Sequence, residues 1–220
     1  MLEERSGAVR DGEAADLFHF ALLLPSRHAL GQQLDHMLAS DVQLTGAADH
    51  HVSEALYLDD PDGHGIELYR DRPADGWYVD GRVRLTNDHL DLDRLRADGR
   101  VTAQPWRCLD PGTVMGHVHL QTFDLGLAGS FYEQTLGFEV KEAWPHATFL
   151  SVGGYHHHIA LNDWRGKDRP AVPDAGGIGL LWYEIWVPAP FELAELPGRI
   201  EEDALVVTDP NGIRIRFVSV

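Results

Sequence analysis

A turn followed by a strand occurs twice in this chain, and that repeat limits what the chain can fold into. Asp60-Pro61-Asp62-Gly63 runs into GHGIELYRD, while Asp209-Pro210-Asn211-Gly212 runs into IRIRFVS close to residue 220. Proline presets the first turn angle and glycine tolerates the unusual angle later in the turn, so each string reads as a tight turn between strands. A second echo lies upstream: LFHFALLLP at 17–25 returns as LLWYEIWVP at 180–188. One strand-rich unit has therefore been used more than once, and internal duplication organises the chain.

Alternation along the strands assigns faces. Ile66 and Leu68 alternate with Glu67 and Tyr69, so a carboxylate shares a sheet face with a tyrosine while the aliphatic residues take the other face. Buried carboxylates are rare without partners. His19, in the early strand of the same unit, is the companion, and together His19 and Glu67 read as half of a metal site. In the later copy Trp182 stands where His19 stood and Arg216 where Glu67 stood.

Between the echoes the chain is ordered as follows. Residues 1–16 are a polar, acidic arm or the remnant of a further unit. A strand over 17–25 leads to Ser26, which can cap a helix with Leu30, Leu34, Met37 and Leu38 as its apolar stripe. A short strand is expected near Val42 to Leu44, and strands on both sides of the Asp60 turn complete a β-α-β-β-β unit over 17–72. Breakers such as Pro73, Gly81, Gly99 and Pro111 mark 73–114 as a linker with one short helix at 90–97. From 115 to 220 a second domain of two units is expected. Its first opens with GHVHLQTF, in which His117 and His119 alternate with Val118 and Leu120, and Asp124 caps a helix carrying Leu127, Phe131 and Leu136. Its last begins near Leu180 and includes a short helix at 191–196.

Charge excludes some partners. The chain has 35 acidic and 18 basic residues, a formal net charge of -17, which repels phosphate backbones and anionic lipid heads. Nucleic acid and membrane are thus not expected as partners. No apolar run approaches the roughly 20 residues of a membrane span. The single cysteine, Cys108, rules out an internal disulfide framework and makes a reducing cytoplasm the expected compartment.

These strings resemble the vicinal oxygen chelate superfamily of glyoxalases, bleomycin-resistance proteins and extradiol dioxygenases. LFHFALLLPSR, DHHVSEALYLDDPDGHGIELYRDRP, GHVHLQTFDL, FYEQTLGF and GGYHHHIALNDW look most like its catechol 2,3-dioxygenase branch. The resemblance implies an α+β fold of repeated β-α-β-β-β units, three of them here, and a non-haem Fe(II) that cleaves an aromatic diol with O2. It makes His19 and Glu67 metal ligands, His50 an acid-base group and Tyr57 a substrate-facing tyrosine. His51 is an alternative to His50, and a glyoxalase-like lyase or isomerase would take Mn, Ni or Zn instead. A non-catalytic binding protein of the same fold is the other class.

The resemblance also implies a departure. Full-length relatives have four units, the first of which gives the other histidine ligand, so this chain lacks that unit and its site is expected to be one donor short. His117, opposite Trp182 and Arg216, falls in what reads as a degenerate copy. His156, His157 and His158 are the remaining candidates; on a strand only alternate members face inward, so His157, or His156 with His158, would do so. Units of this fold work in pairs. With 115–161 expected to pair with 180–220, the unit at 17–70 would find its mate in a second protomer, as a homodimer or larger homo-oligomer.

Overall fold

The computed structural model of the chain describes residues 3–9, 14–100, 106–164, 177–188, 196–202 and 204–220. Two compact units emerge: one comprises Phe18–His119 with Gly154–His158, and the other Met1–Leu17, Leu120–Gly153 and Ile159–Val220. Mixed sheets with few helices make this the α+β fold that the repeats imply.

The elements of the first unit are β1 (Asp16–Leu23, which starts just before it), α1 (Arg27–Ala39), β2 (Gly46–Asp49), β3 (Ser53–Asp59), β4 (Gly65–Asp71), β5 (Tyr78–Val79), β6 (Arg82–Val83), α2 (Leu92–Gly99) and β7 (Val114–Gln121, which runs just past it). Its sheet has the order β2-β3-β4-β1-β7. β3 pairs antiparallel with β4, while β1 runs parallel to β4 with Ala21 opposite Glu67. The aliphatic face of β3 and β4 is covered by α1: Leu30, Leu34 and Met37 pack with Leu56, Leu68 and Leu95 in one buried cluster. Ser26 caps α1 by accepting the Ala29 N–H. Where α1 meets α2 the backbones touch, since a Cβ on Gly31 would collide with the Leu95 carbonyl oxygen.

The other unit contains α3 (Leu125–Ser130), β8 (Glu139–Trp144), β9 (Ala147–Ser151), β10 (Ile159–Asn162), β11 (Trp182–Val187), β12 (Arg199–Glu201), β13 (Ala204–Thr208) and β14 (Arg214–Ser219). Asp124 caps α3 through the Leu127 N–H, and a wider turn of helix over Phe131–Thr135 continues it. β8, β9 and β10 are antiparallel neighbours. β11, β14, β13 and β12 form a separate four-stranded sheet, with β11 parallel to β14.

Several local expectations change. The strand expected at Val42 to Leu44 lies instead at Gly46–Asp49, where small residues pair with β3. Leu38 and Leu127, assigned to apolar stripes, are 43% and 50% exposed; both lie at the margin of their helix faces. The linker helix runs Leu92–Gly99 because Asp91 caps it through the Arg94 N–H. Most of the helix expected at 191–196 lies outside the described residues.

Candidate metal centre

The face of the first unit's sheet turned away from α1 carries the site. Period-two alternation puts His19 and Ala21 of β1, Glu67 and Tyr69 of β4, and Ala55 and Tyr57 of β3 on that face. β7 lies next to β1, and it brings His117 to the same place. Glu67 Oε2 is 3.0 Å from His19 Nε2 and 3.2 Å from His117 Nε2. All three residues are buried, Glu67 at 2% exposure.

Burial pushes the Glu67 carboxyl up, but His117, by charge and hydrogen bond, and then the neighbouring His19 hold it well below the usual carboxylate range. His117 is pulled down by burial and pushed back by Glu67, with the net result below an ordinary histidine. His117, pulled toward the neutral form that offers a lone pair, thus sits with His19 beside an ionised carboxylate.

Such a set fits a small divalent ion. One donor atom from each of His19, Glu67 and His117 lies within 4.8 Å of the other two. Metal–donor distances of about 2.1 Å at right angles put neighbouring donors about 3.0 Å apart, as both Nε2–Oε2 separations are. His19 Nε2 is close to the carboxylate, yet this buried nitrogen has no hydrogen-bond partner among the described residues. An unpaired buried nitrogen is costly in a structural ion pair, whereas a metal would satisfy it.

Beside the triad, His50 Nδ1 is 2.7 Å from the Thr86 carbonyl oxygen and Nε2 is 2.6 Å from the Tyr57 hydroxyl. A carbonyl only accepts, so Nδ1 carries the proton and neutral His50 presents a bare Nε2 to the hydroxyl. Burial first, then the Glu67 charge and hydrogen bond, push the Tyr57 phenol well up, which keeps it protonated. His51 does not join them. It takes a left-handed backbone (φ 68°) and turns its Nε2 3.1 Å from the Gly76 carbonyl oxygen.

On the other flank, His156 and His157 are both buried, contrary to the alternation expected of a strand, because Gly154–His158 is irregular chain ahead of β10. Asp71 Oδ1 accepts from His156 Nε2 at 2.8 Å, so His156 Nδ1 is the acceptor for His157 Nδ1–H, also at 2.8 Å. The His157 ring lies 4.2 Å, centroid to centroid, from that of His117. Tyr155 bonds Asp71 (3.1 Å) and the Tyr69 hydroxyl (2.7 Å). Tyr69 in turn fills the space over Gly116, where a Cβ would collide with its hydroxyl.

Sequence reasoning overlooked Tyr69, Asp71 and His119 as members of this constellation. The first two were within reach, since Glu67, Tyr69 and Asp71 alternate on one strand face. His119 is buried edge-on to His19, with ring centroids 4.8 Å apart; burial, followed by the neighbouring His19, keeps it neutral. The expected shortage of one donor is not what the structure shows. His117 reaches the site because β7 joins the sheet beside β1, and it adds a third candidate donor from within the chain.

The Glyoxalase/Bleomycin resistance protein/Dioxygenase superfamily profile matches residues 2–68 and 114–185. A catechol-2,3-dioxygenase of Bacillus subtilis (strain 168) is 39% identical over 237 aligned residues, which cover 99% of this chain and 81% of that protein. Among solved structures, one from Bacillus subtilis subsp. subtilis str. 168, described provisionally as a dioxygenase, aligns with a TM-score of 0.59 at 13% identity. That alignment covers 97% of this chain and 65% of the other, so the chain spans just under two thirds of its solved relative; at this identity the likeness speaks for the fold. Since the profile takes in both the Glu67 repeat and the His117 strand, and a relative this similar runs along nearly the whole sequence, the chain belongs to the Glyoxalase/Bleomycin resistance protein/Dioxygenase superfamily.

Proposed function

We propose that the chain is a non-haem Fe(II) extradiol dioxygenase that opens catechol-type rings with O2, with His19, Glu67 and His117 as the iron ligands. The observation that carries this reading is the buried His-Glu-His set with a hydrogen-bonded His–Tyr pair at its edge. The 39% identical catechol-2,3-dioxygenase supports it. Two histidines and one carboxylate would hold Fe(II), and the iron so held would supply the Lewis-acid and redox chemistry that a diol and O2 need to react.

The rest falls to the chain's own groups. Tyr57, held protonated with its hydroxyl proton directed at His50 Nε2, orients the ring by accepting a hydrogen bond from a diol hydroxyl. His50 Nε2, bare because Nδ1–H is fixed on Thr86, takes up the proton that the diol releases and returns it later. Asp71 and His156 set the tautomer of His157 so that His157 Nε2 is the lone-pair nitrogen. Tyr69 and the buried histidines close the site to bulk water.

The test is anaerobic loading with Fe(II), then catechol, then O2. The expected outcome is a yellow ring-cleavage product with one O2 consumed per catechol. Stoichiometric iron without O2 uptake would point instead to the non-catalytic binding protein. A glyoxalase-like lyase or isomerase is a second reading, because the same donor set suits Mn, Ni or Zn; it predicts turnover without O2. A homodimer and a cytoplasmic setting also belong to the proposal. Light scattering tests the dimer, which would have no part in ligating the metal.

A further inference from the structure

On the opposite side of β3 and β4, where α1 packs, lies a cavity of about 290 Å³ lined by Arg27, Glu54, Arg70, Arg72, Arg94 and Asp98. Every lining residue is charged, and four guanidiniums face two carboxylates. With Asp49, which also pairs with Arg72, counted in, one net positive charge remains here in a chain of net charge -17. Glu54 is 3% exposed and anchors the floor. It accepts from Arg27 Nε at 2.8 Å, Arg70 Nε at 2.7 Å and Arg72 Nη2 at 3.1 Å.

Those bonds hold three guanidiniums in place without using up their donors, since each carries five N–H groups. Arg72 also bonds Asp49 at 2.6 Å, and Arg27 pairs with Asp98 at the rim. The guanidinium of Arg94, an exposed residue of α2, has no hydrogen-bond or ion-pair partner among the described residues. The amino end of α1 lies at Arg27, so the helix dipole adds in the same sense.

We propose that this cavity binds a small oxyanion, a phosphate or phosphate monoester. Guanidiniums converging from α1, β4 and α2 suit a tetrahedral anion with several acceptor oxygens better than a planar carboxylate. At about 30 Å³ per water, the volume is worth about ten waters, enough for a phosphate and part of what it is attached to. Asp98 is the one rim group that opposes an anion, and the ligand displaces it from Arg27. This site is independent of the metal centre and of the reaction proposed for it.

Titration calorimetry of the full chain with inorganic phosphate, against chloride at matched ionic strength, tests the proposal. Saturable one-to-one binding is expected, retained in His19→Ala, which excludes phosphate held at the metal centre. Arg94→Ala gives up no ion pair and so leaves the fold intact; it should weaken binding by about tenfold or more. Asp98→Asn should tighten it. Phenyl phosphate separates the sources: tighter binding than phosphate marks a monoester site, and exclusion marks a site for the free ion. No heat beyond the chloride control, or binding unchanged in both Arg94→Ala and Asp98→Asn, would overturn the assignment.

Discussion

The strand pair β1–β4 and the strand pair β11–β14 share a backbone plan and opposite chemistry. Ala21 lies opposite Glu67 in the first, and Glu184 lies opposite Arg216 in the second, in the same parallel register. Their turns also agree. Asp60 Oδ1 accepts from the N–H groups of Asp62 and His64, and Asp209 Oδ1 from those of Asn211 and Ile213. Gly63 and Gly212 both take positive φ, 84° and 89°. Yet where His19 and Glu67 face each other, the later copy stacks the Arg216 guanidinium 5.4 Å from the centre of the Trp182 ring. The scaffold is indifferent to which side chains it displays: the first copy sets a carboxylate beside an imidazole, and the later one sets a guanidinium over an indole.

The largest effect should come from exchanging the roles of these pairs. Glu67→Ala should remove stoichiometric metal binding and all ring cleavage, while Arg216→Ala should leave both intact, as metal analysis and O2 uptake would show. Metal loss in Arg216→Ala would mean that the later copy is not silent. A smaller effect is expected at the neighbouring pair: His50→Phe should keep its iron and slow turnover about 10²- to 10⁴-fold. An unchanged rate would deny His50 the proton.

The turns sharpen the comparison through stability. Asp209 is 4% exposed and also accepts from the Tyr132 hydroxyl, whereas the Asp60 side chain is only partly buried. Asp209→Ala should cost about 2–3 kcal/mol in denaturant melts and Asp60→Ala about 1 kcal/mol. Equal losses would show that the shared backbone turn, not its burial, sets the worth of the aspartate.

Acid should separate the copies more gently. Burial pushes Glu54 up, but Arg70, Arg27 and Arg72 hold its carboxyl below its ordinary 4.5. Its contribution is therefore whole above 4.5 and lost as pH falls through the lowered value. Burial raises Asp209 above its ordinary 3.8, so the part of its stability tied to ionisation is most favourable below 3.8 and falls as pH rises through the raised value, while its hydrogen bonds remain. Hydrogen exchange should show β3 and β4 loosening before β13 and β14 as pH drops below 4.5. The reverse order would contradict these assignments.

Local pattern carried the reading as far as local forces decide the structure. The Asp60 and Asp209 turns, the Ser26 and Asp124 caps, and the shared face of Glu67 and Tyr69 each follow from a few neighbouring residues. The place of His117 does not, because it depends on β7 settling beside β1, a pairing between strands about a hundred residues apart. His50 and His51 could not be separated either, until a left-handed backbone turned His51 toward Gly76. Alternation failed at His156 and His157 because it presumes a strand that is not there.

Tyr57 has one hydroxyl proton and two claimants, His50 Nε2 and the Glu67 carboxylate. While His50 is neutral, the proton points at the imidazole. Once His50 becomes imidazolium, its own Nε2–H occupies that side, and the phenol must swing its proton toward Glu67. The tyrosine is thus a turnstile: no proton need cross it, yet its orientation reports to the Glu67 carboxylate whether the histidine behind it has been loaded.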